Sequence, residues 1–159
     1  MSQLDITAAM WPDDLDIVRT LFREYADSLG VSLDYQGFDG ELRSLPGDYA
    51  SPRGTVMLAR HNDRVVGCVG VRPFDATTAE MKRLYVRPDG RGGGVGRSLA
   101  EAAIQFAAQA GYARMRLDTL PQMARAQDLY RSLGFVEIDP YRFSPVEGTQ
   151  FLELPLTGH

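Results

Sequence analysis

The chain is short of cysteine, of histidine and of long apolar runs, and each shortage closes a class of function. Cys68 is the only cysteine in 159 residues, so no intramolecular disulfide can form and a cysteine-rich metal site is excluded. Flanked by Gly67 and Val69 in an apolar run, it reads as a small buried hydrophobe rather than a nucleophile. His61 and His159 fall in a hairpin turn and at the chain end. Both read as exposed, and no Ser-His-Asp order stands out. No apolar run approaches the roughly 20 residues that cross a bilayer. Met1 to Met10 lacks a basic segment followed by an apolar one, so no signal peptide is expected. A cytoplasmic protein without a membrane partner is the default. A basic surplus is also missing. The net charge is −4, which argues against a nucleic-acid partner.

What is present is ordinary for a globular protein: 44% hydrophobic and 24% charged residues. That length and composition suit one domain over residues 1–159 with a core of its own. Leu4 to Ala8 reads as a short strand. Asp13-Asp14 opens an amphipathic helix on which Leu15, Val18, Leu21, Phe22, Tyr25 and Leu29 keep helical spacing until Gly30. Leu33 to Tyr49 is less regular and reads as a covering segment, with a short helix around Phe38 to Leu45. Thr55 to Ala59 and Val65 to Val71 are strands joined by the turn His61-Asn62-Asp63-Arg64. Glu80 to Val86 is the next strand. Gly94 to Ala110 carries the clearest apolar stripe, Val95, Leu99, Ala102, Ala103, Phe106 and Ala110, and Gly111 suits its C-terminal stop. Arg114 to Asp118, Phe135 to Ile138 and Phe151 to Leu156 read as strands, with a helix from Met123 to Leu133 ended by Gly134. Strands that first pair by hairpins and later alternate with helices imply a mixed α/β sheet with helices on both faces.

Arg91-Gly92-Gly93-Gly94-Val95-Gly96 stands between the strand Glu80 to Val86 and the helix that follows. Strand, glycine-rich turn, helix start is an arrangement for binding phosphate. Glycine lets the backbone approach closely, and the helix start offers unpaired N–H groups at the positive end of the macrodipole. It is not a Walker A loop, because Arg97-Ser98 follows Gly96 where Lys-Ser/Thr is required. It is a poor dinucleotide fingerprint, since position 97 is Arg where the third small residue should be. A basic patch of Lys82, Arg83, Arg87, Arg91 and Arg97 brackets the loop and reads either as a phosphate cradle or as a solvated face.

The pattern Arg-x-x-Gly-x-Gly after a strand resembles the pyrophosphate loop of the GNAT superfamily of acyl-CoA-dependent N-acyltransferases. Glu80-Met81-Lys82-Arg83-Leu84-Tyr85-Val86-Arg87-Pro88 resembles the family's fourth strand. Leu129-Tyr130-Arg131-Ser132-Leu133-Gly134-Phe135 resembles its later helix-to-strand junction, and order and spacing agree. The resemblance implies a mostly antiparallel twisted sheet of about six to seven strands. It also implies acetyl-CoA as cosubstrate with no metal, and a small-molecule or peptide amine as acceptor. A homodimer stays open. Coenzyme A would lie against Leu84, Tyr85 and Val86 with its pyrophosphate over Arg91, Gly92, Gly93, Gly94, Val95, Gly96, Arg97 and Ser98. The backbone N–H near Leu84 would meet the acyl carbonyl as negative charge develops there. Tyr130 would be the general acid that protonates the departing sulfur; the competing reading is a core tyrosine on the Leu129/Leu133 face.

Glu80, eleven positions before Arg91, is where some family members carry the base that deprotonates the amine. Strand alternation would put Glu80, Lys82, Leu84 and Val86 on one face and Met81, Arg83 and Tyr85 on the other. Lys82 beside Glu80 would lower its pKa, so a structural or substrate-binding carboxylate is the alternative. Met123 stands where many family members carry a cofactor-binding Asn. Asp118 and Thr119 read as substrate-side residues or as a turn and cap. Asp34, Asp39 and Glu41 hint at a cationic acceptor. A non-catalytic acyl-CoA binding module of the same fold is the second reading of the chain.

Overall fold

The computed structural model describes residues 3–30, 32–33 and 37–156. Strand β1 (Leu4–Ala8) is followed by helices α1 (Leu15–Ser28) and α2 (Phe38–Ser44). Then come β2 (Thr55–His61), β3 (Arg64–Pro73), β4 (Thr78–Val86) and helix α3 (Val95–Gln109). The chain closes with β5 (Arg114–Thr119), α4 (Ala124–Ser132), β6 (Val136–Ile138) and β7 (Gln150–Pro155). The seven strands make one sheet in the order β1-β2-β3-β4-β5-β7-β6. Every pair is antiparallel except β4 with β5. The mixed, mostly antiparallel sheet expected from the sequence is thus what forms. The expected acidic residue Asp34 and the terminal His159 lie outside the described residues.

Two apolar clusters, one per face, hold the helices. On one face Val95, Leu99, Ala100, Ala103 and Ala107 of α3 pack with Val69, Val71, Met81, Met115 and Leu117 of the sheet. The other face carries Val18, Leu21 and Phe22 of α1 and Phe38 and Leu42 of α2 against Val56, Leu58 and Cys68. The stripe on α3 is centred one residue away from the expected one, with Ala100 and Ala107 buried while Ala102 and Phe106 sit at its margin. The β2–β3 turn is tighter than expected. His61 and Arg64 still pair, and Asn62 and Asp63 alone make the bend with φ of 50° and 73°. Asn and Asp tolerate that left-handed backbone, which suits a two-residue hairpin.

Two irregularities in β4 shape everything that follows. Pairing with β3 slips between Gly70↔Lys82 and Cys68↔Tyr85, so β4 holds one residue more than β3 across this stretch. Arg83 sits in that bulge with φ +61°. A bulge reverses the alternation of side chains beyond it. The simple alternation expected from the sequence therefore fails. Leu84 and Val86 join Met81 in the α3-side cluster, and Tyr85 joins the α1-side cluster. The second irregularity is that β4 and β5 are in register only over Thr78–Glu80 and Arg114–Arg116. Beyond Glu80 the two parallel strands part, while β5 stays paired to β7 through Thr119.

Candidate active site

Beside the end of β4 that has parted from β5 lies a groove of about 590 Å3. Its floor is Leu84, Tyr85 and Val86 of β4; its far end is Arg91, Gly92, Gly94, Val95 and Gly96. Tyr25 and Ser28 of α1 form one wall, and Met123, Arg125 and Leu129, at and within α4, form the other. Gly92 and Gly94 have φ of +94° and +76°, a backbone that residues with a Cβ adopt only at a cost. A Cβ built on Gly92, Gly93 or Gly94 meets nothing within 4 Å. The glycines there answer to backbone conformation and to open space, not to neighbouring protein atoms. Gly94 caps α3 without any side-chain hydrogen bond, so the first turn directs uncapped N–H groups at that space.

Not every residue of the glycine-loop region faces the groove. Gly93, Arg97 and Ser98 are absent from its walls. Arg97 reaches along and past α3, donating Nη1 to Ser132 Oγ at 3.0 Å and lying 3.5 Å from Glu101 Oε2. Arg91 folds back to donate Nε to the Val86 carbonyl at 3.0 Å. The basic patch is largely spent inside the protein. Arg87 pairs with Glu24 at 2.9 Å, Arg83 with Glu41 at 3.0 Å, and Lys82 lies 3.6 Å from Asp118. Of the five patch residues only Arg91 lines the groove, and the sequence reading missed its companion Arg125. A cation in the first turn of the helix that carries Tyr130 was the available signal.

The groove meets a second, enclosed chamber of about 20 Å3, sharing Tyr25, Leu29, Leu84 and Met123 with it. This chamber brings Tyr130, Lys82 and Asp118 together. Tyr130 comes from α4, is 5% exposed, and packs edge-on against Phe135 with centroids 5.7 Å apart. Burial, aided by the nearby Tyr25 and Asp118, pushes its phenol well above the ordinary tyrosine range. The phenol is therefore a proton donor at any physiological pH. Lys82 is the chain's only lysine. Burial pulls its ammonium down to about 8, against the opposing pull of Asp118 and Glu80. Asp118 and Thr119 are both strand residues rather than a turn and cap. The Thr119 hydroxyl is buried with no hydrogen-bond partner among the described residues.

Glu80 sits at the last paired position before the strands part and is 1% exposed. Arg72 Nε donates to Oε1 at 3.1 Å. Tyr141 OH donates to Oε2 at 3.0 Å, and Arg142 Nη2 lies 2.7 Å from the same oxygen. Burial alone would raise its pKa, but Lys82, Arg72 and Arg142 together overcome that and hold the carboxyl down to about 2. As a base it is weak in this state, because accepting a proton means surrendering a donor. Glu41 is engaged likewise, accepting from Arg72, Arg83 and Tyr49. Its charge is committed inside the fold rather than open to a cationic acceptor.

The groove runs from the uncapped start of α3 to the chamber that Tyr130 lines. Residues 16–135 match the family model described as Acetyltransferase (GNAT) family. The chain belongs to the GNAT acetyltransferase family. It is 37% identical to an uncharacterized N-acetyltransferase of Schizosaccharomyces pombe over 98% of this chain and 97% of that protein. It is 34% identical to an IAA acetyltransferase of Azospirillum brasilense over 67% of this chain and 71% of that one. Among solved structures, a Streptococcus agalactiae acetyltransferase superposes with TM-score 0.77 at 23% identity, covering 96% and 98% of the two chains. A Salmonella typhimurium structure described with acetyl-CoA as cofactor superposes with TM-score 0.68 at 23% identity, covering 98% and 95%. As a GNAT protein the chain is an acyltransferase of the acetyl-CoA-dependent class.

Proposed function

We propose that this GNAT protein moves an acetyl group from acetyl-CoA to a primary amine by direct attack in a ternary complex. The observation that carries this reading is the buried Tyr130 phenol, at the end of a groove that begins at the uncapped start of α3. Coenzyme A fits the groove chemically. The backbone at the groove's far end, Gly92, Gly94, Val95 and Gly96, suits its pyrophosphate, with Arg91 and Arg125 as cations, and Leu84, Tyr85 and Val86 suit its pantetheine arm. The Leu84 amide is the proposed donor to the acyl oxygen as it gains charge. Tyr130 returns a proton to the departing sulfur.

An alkyl ammonium has a pKa of roughly 10, so the amine must shed a proton before it attacks. Glu80 is the proposed acceptor, directly or through water. For that role it must exchange the Tyr141 or Arg142 contact for the incoming proton. The acceptor enters from the side of α1, α2 and the segment 139–149. Thiol release across a panel of amino acids, polyamines, aminoglycosides and peptides tests the reading. Turnover with at least one amine is expected, and none across the panel favours a non-catalytic acyl-CoA binding module. Coenzyme A, and not ATP, is expected to raise the melting temperature.

A further inference from the structure

Arg83 is 3% exposed and holds a left-handed backbone in the β4 bulge, φ +61°. A residue with a Cβ keeps that conformation only where its surroundings enforce it. The enforcement here is visible. The guanidinium donates Nε to Glu41 Oε2 and Nη2 to Glu41 Oε1, both at 3.0 Å. The Phe38 and Tyr25 rings lie 5.0 and 5.9 Å from its Cζ. Its carbonyl accepts the Cys68 thiol at 3.4 Å. Glu41 is itself fixed by Tyr49 OH at 3.2 Å and Arg72 Nη1 at 3.3 Å. The Tyr49 ring in turn seats on Gly70, where a Cβ would come within 2.6 Å of it. Gly70 is the last β3 residue in register before the slip.

We propose that Glu41 is a positioning residue: its two-pronged pair with Arg83 holds the β4 bulge in the shape that turns the Leu84 amide toward the acyl group. This rests on the transferase reading above. The peptide between residues 83 and 84 carries the Leu84 N–H, and its orientation follows the Arg83 backbone. Once the side chain is no longer held, the ordinary negative φ becomes the lower-energy choice and the peptide plane rotates. Glu41 touches no substrate; it acts through Arg83.

Glycine takes a positive φ freely and alanine does not, which separates positioning from mere stabilisation. Arg83→Ala and Arg83→Gly lose the pair equally. With saturating acetyl-CoA and an amine the wild type uses, kcat is expected to fall roughly 10- to 100-fold in Glu41→Gln and Arg83→Ala, part of the 10²–10³ lost when such a donor is removed outright. Arg83→Gly and Glu41→Gln/Arg83→Gly are expected to keep about tenfold more kcat than Arg83→Ala. The KM for acetyl-CoA is expected to move less than about threefold in all of them, since most of the cofactor's contacts lie elsewhere. Equal kcat in folded Arg83→Gly and Arg83→Ala, or wild-type kcat in folded Glu41→Gln, overturns the proposal. Amide hydrogen exchange over residues 81–86 needs no turnover. Faster exchange there in Glu41→Gln is expected, and unchanged exchange overturns the clasp. A wild type that acetylates no amine defeats the transferase reading instead, and the exchange result still decides the clasp.

Discussion

Replacing Gly94 by Val separates two effects that the loop combines. Gly94 has φ +76°, and a residue with a Cβ held left-handed costs about 1–2 kcal/mol. For a chain of this size each kcal/mol lowers Tm by roughly 2–4 °C, so a fall of about 2–8 °C is expected. The Cβ itself adds no clash, because at Gly94 it meets nothing within 4 Å. That open space is where the proposed pyrophosphate lies, and the added side chain would occupy it. Coenzyme A binding is expected to weaken at least tenfold, about 1.4 kcal/mol, by calorimetry well below the variant's Tm. Gly93→Ala is the control. Gly93 has no positive φ and also opens onto empty space, and it lies outside the groove walls. Stability within about 0.5 kcal/mol of wild type is expected, with affinity nearly unchanged. A well-folded Gly94→Val protein with wild-type affinity would refute the placement of the pyrophosphate over this helix start.

Tyr130→Phe keeps the ring against Phe135 and deletes the hydroxyl; kcat is expected to fall about 10²–10⁴-fold with acetyl-CoA affinity little changed. Because burial raises that phenol's pKa, no loss of wild-type rate from its ionisation is expected below about pH 10. Near-normal single turnover by Tyr130→Phe would make the tyrosine a packing residue. Glu80→Gln is expected to slow the reaction at neutral pH and to recover in part toward the pKa of the free amine; a deficit constant with pH points to a structural carboxylate. Since Glu80 is held at about 2 in the folded protein, against roughly 4.3 unfolded, its contribution to stability is complete above about pH 4.3. That contribution is lost as pH falls toward 2. An acid titration of Tm is expected to show a shallower fall over that window in Glu80→Gln. Lys82 can be followed alone by labelling lysine side chains for NMR. A midpoint near 8 is expected, where an exposed lysine titrates near 10.4; a midpoint above 10 would show that the ammonium is solvated.

Local patterns carried most of the fold because they depend on near neighbours in sequence. The glycines at 92 and 94 need left-handed backbone, and the apolar spacing of α1 and α3 needs a buried face. Those signals are written where they act. The bulge was not legible, since Glu80 to Val86 alternates well enough to pass for a regular strand. The partner of its Arg83 is Glu41, more than forty positions upstream on α2, and no periodicity records a contact of that separation. The same limit hid the fate of the basic patch. Lys82, Arg83 and Arg87 look like a phosphate cradle when counted along the chain, yet each has an acid from another element beside it. Arg125 and Tyr25 line the groove because α4 and α1 form the walls beside its β4 floor, a placement only the tertiary structure specifies.

Those long-range pairs also bear on why the site is charged inside. Glu41, Arg72, Glu80, Arg142, Asp118 and Lys82 form a continuous chain of contacts from 2.7 to 3.7 Å. It runs from a covering helix through β3 and β4 to the segment before β7, and from there to β5 and back to β4. Buried ion pairs are a poor source of net stability, because desolvation offsets most of their attraction. Apolar residues would hold these elements together at least as well. They would not fix direction. A carboxylate gripped by two guanidinium groups tolerates little rotation, and here such grips sit on either side of the point where β4 leaves β5. The parted strands leave an opening that no ladder hydrogen bonds span, so its edges need orientation from side chains. Removing any one member leaves its partner charged and buried. Because Glu80 keeps Arg72 and Tyr141 when Arg142 is lost, the expected cost is about 1–3 kcal/mol, still above that of an exposed pair such as Arg97 with Glu101. Thermal unfolding of Arg142→Met beside Arg97→Met measures that contrast. Equal losses of Tm would show that the interior chain is no more than a surface network.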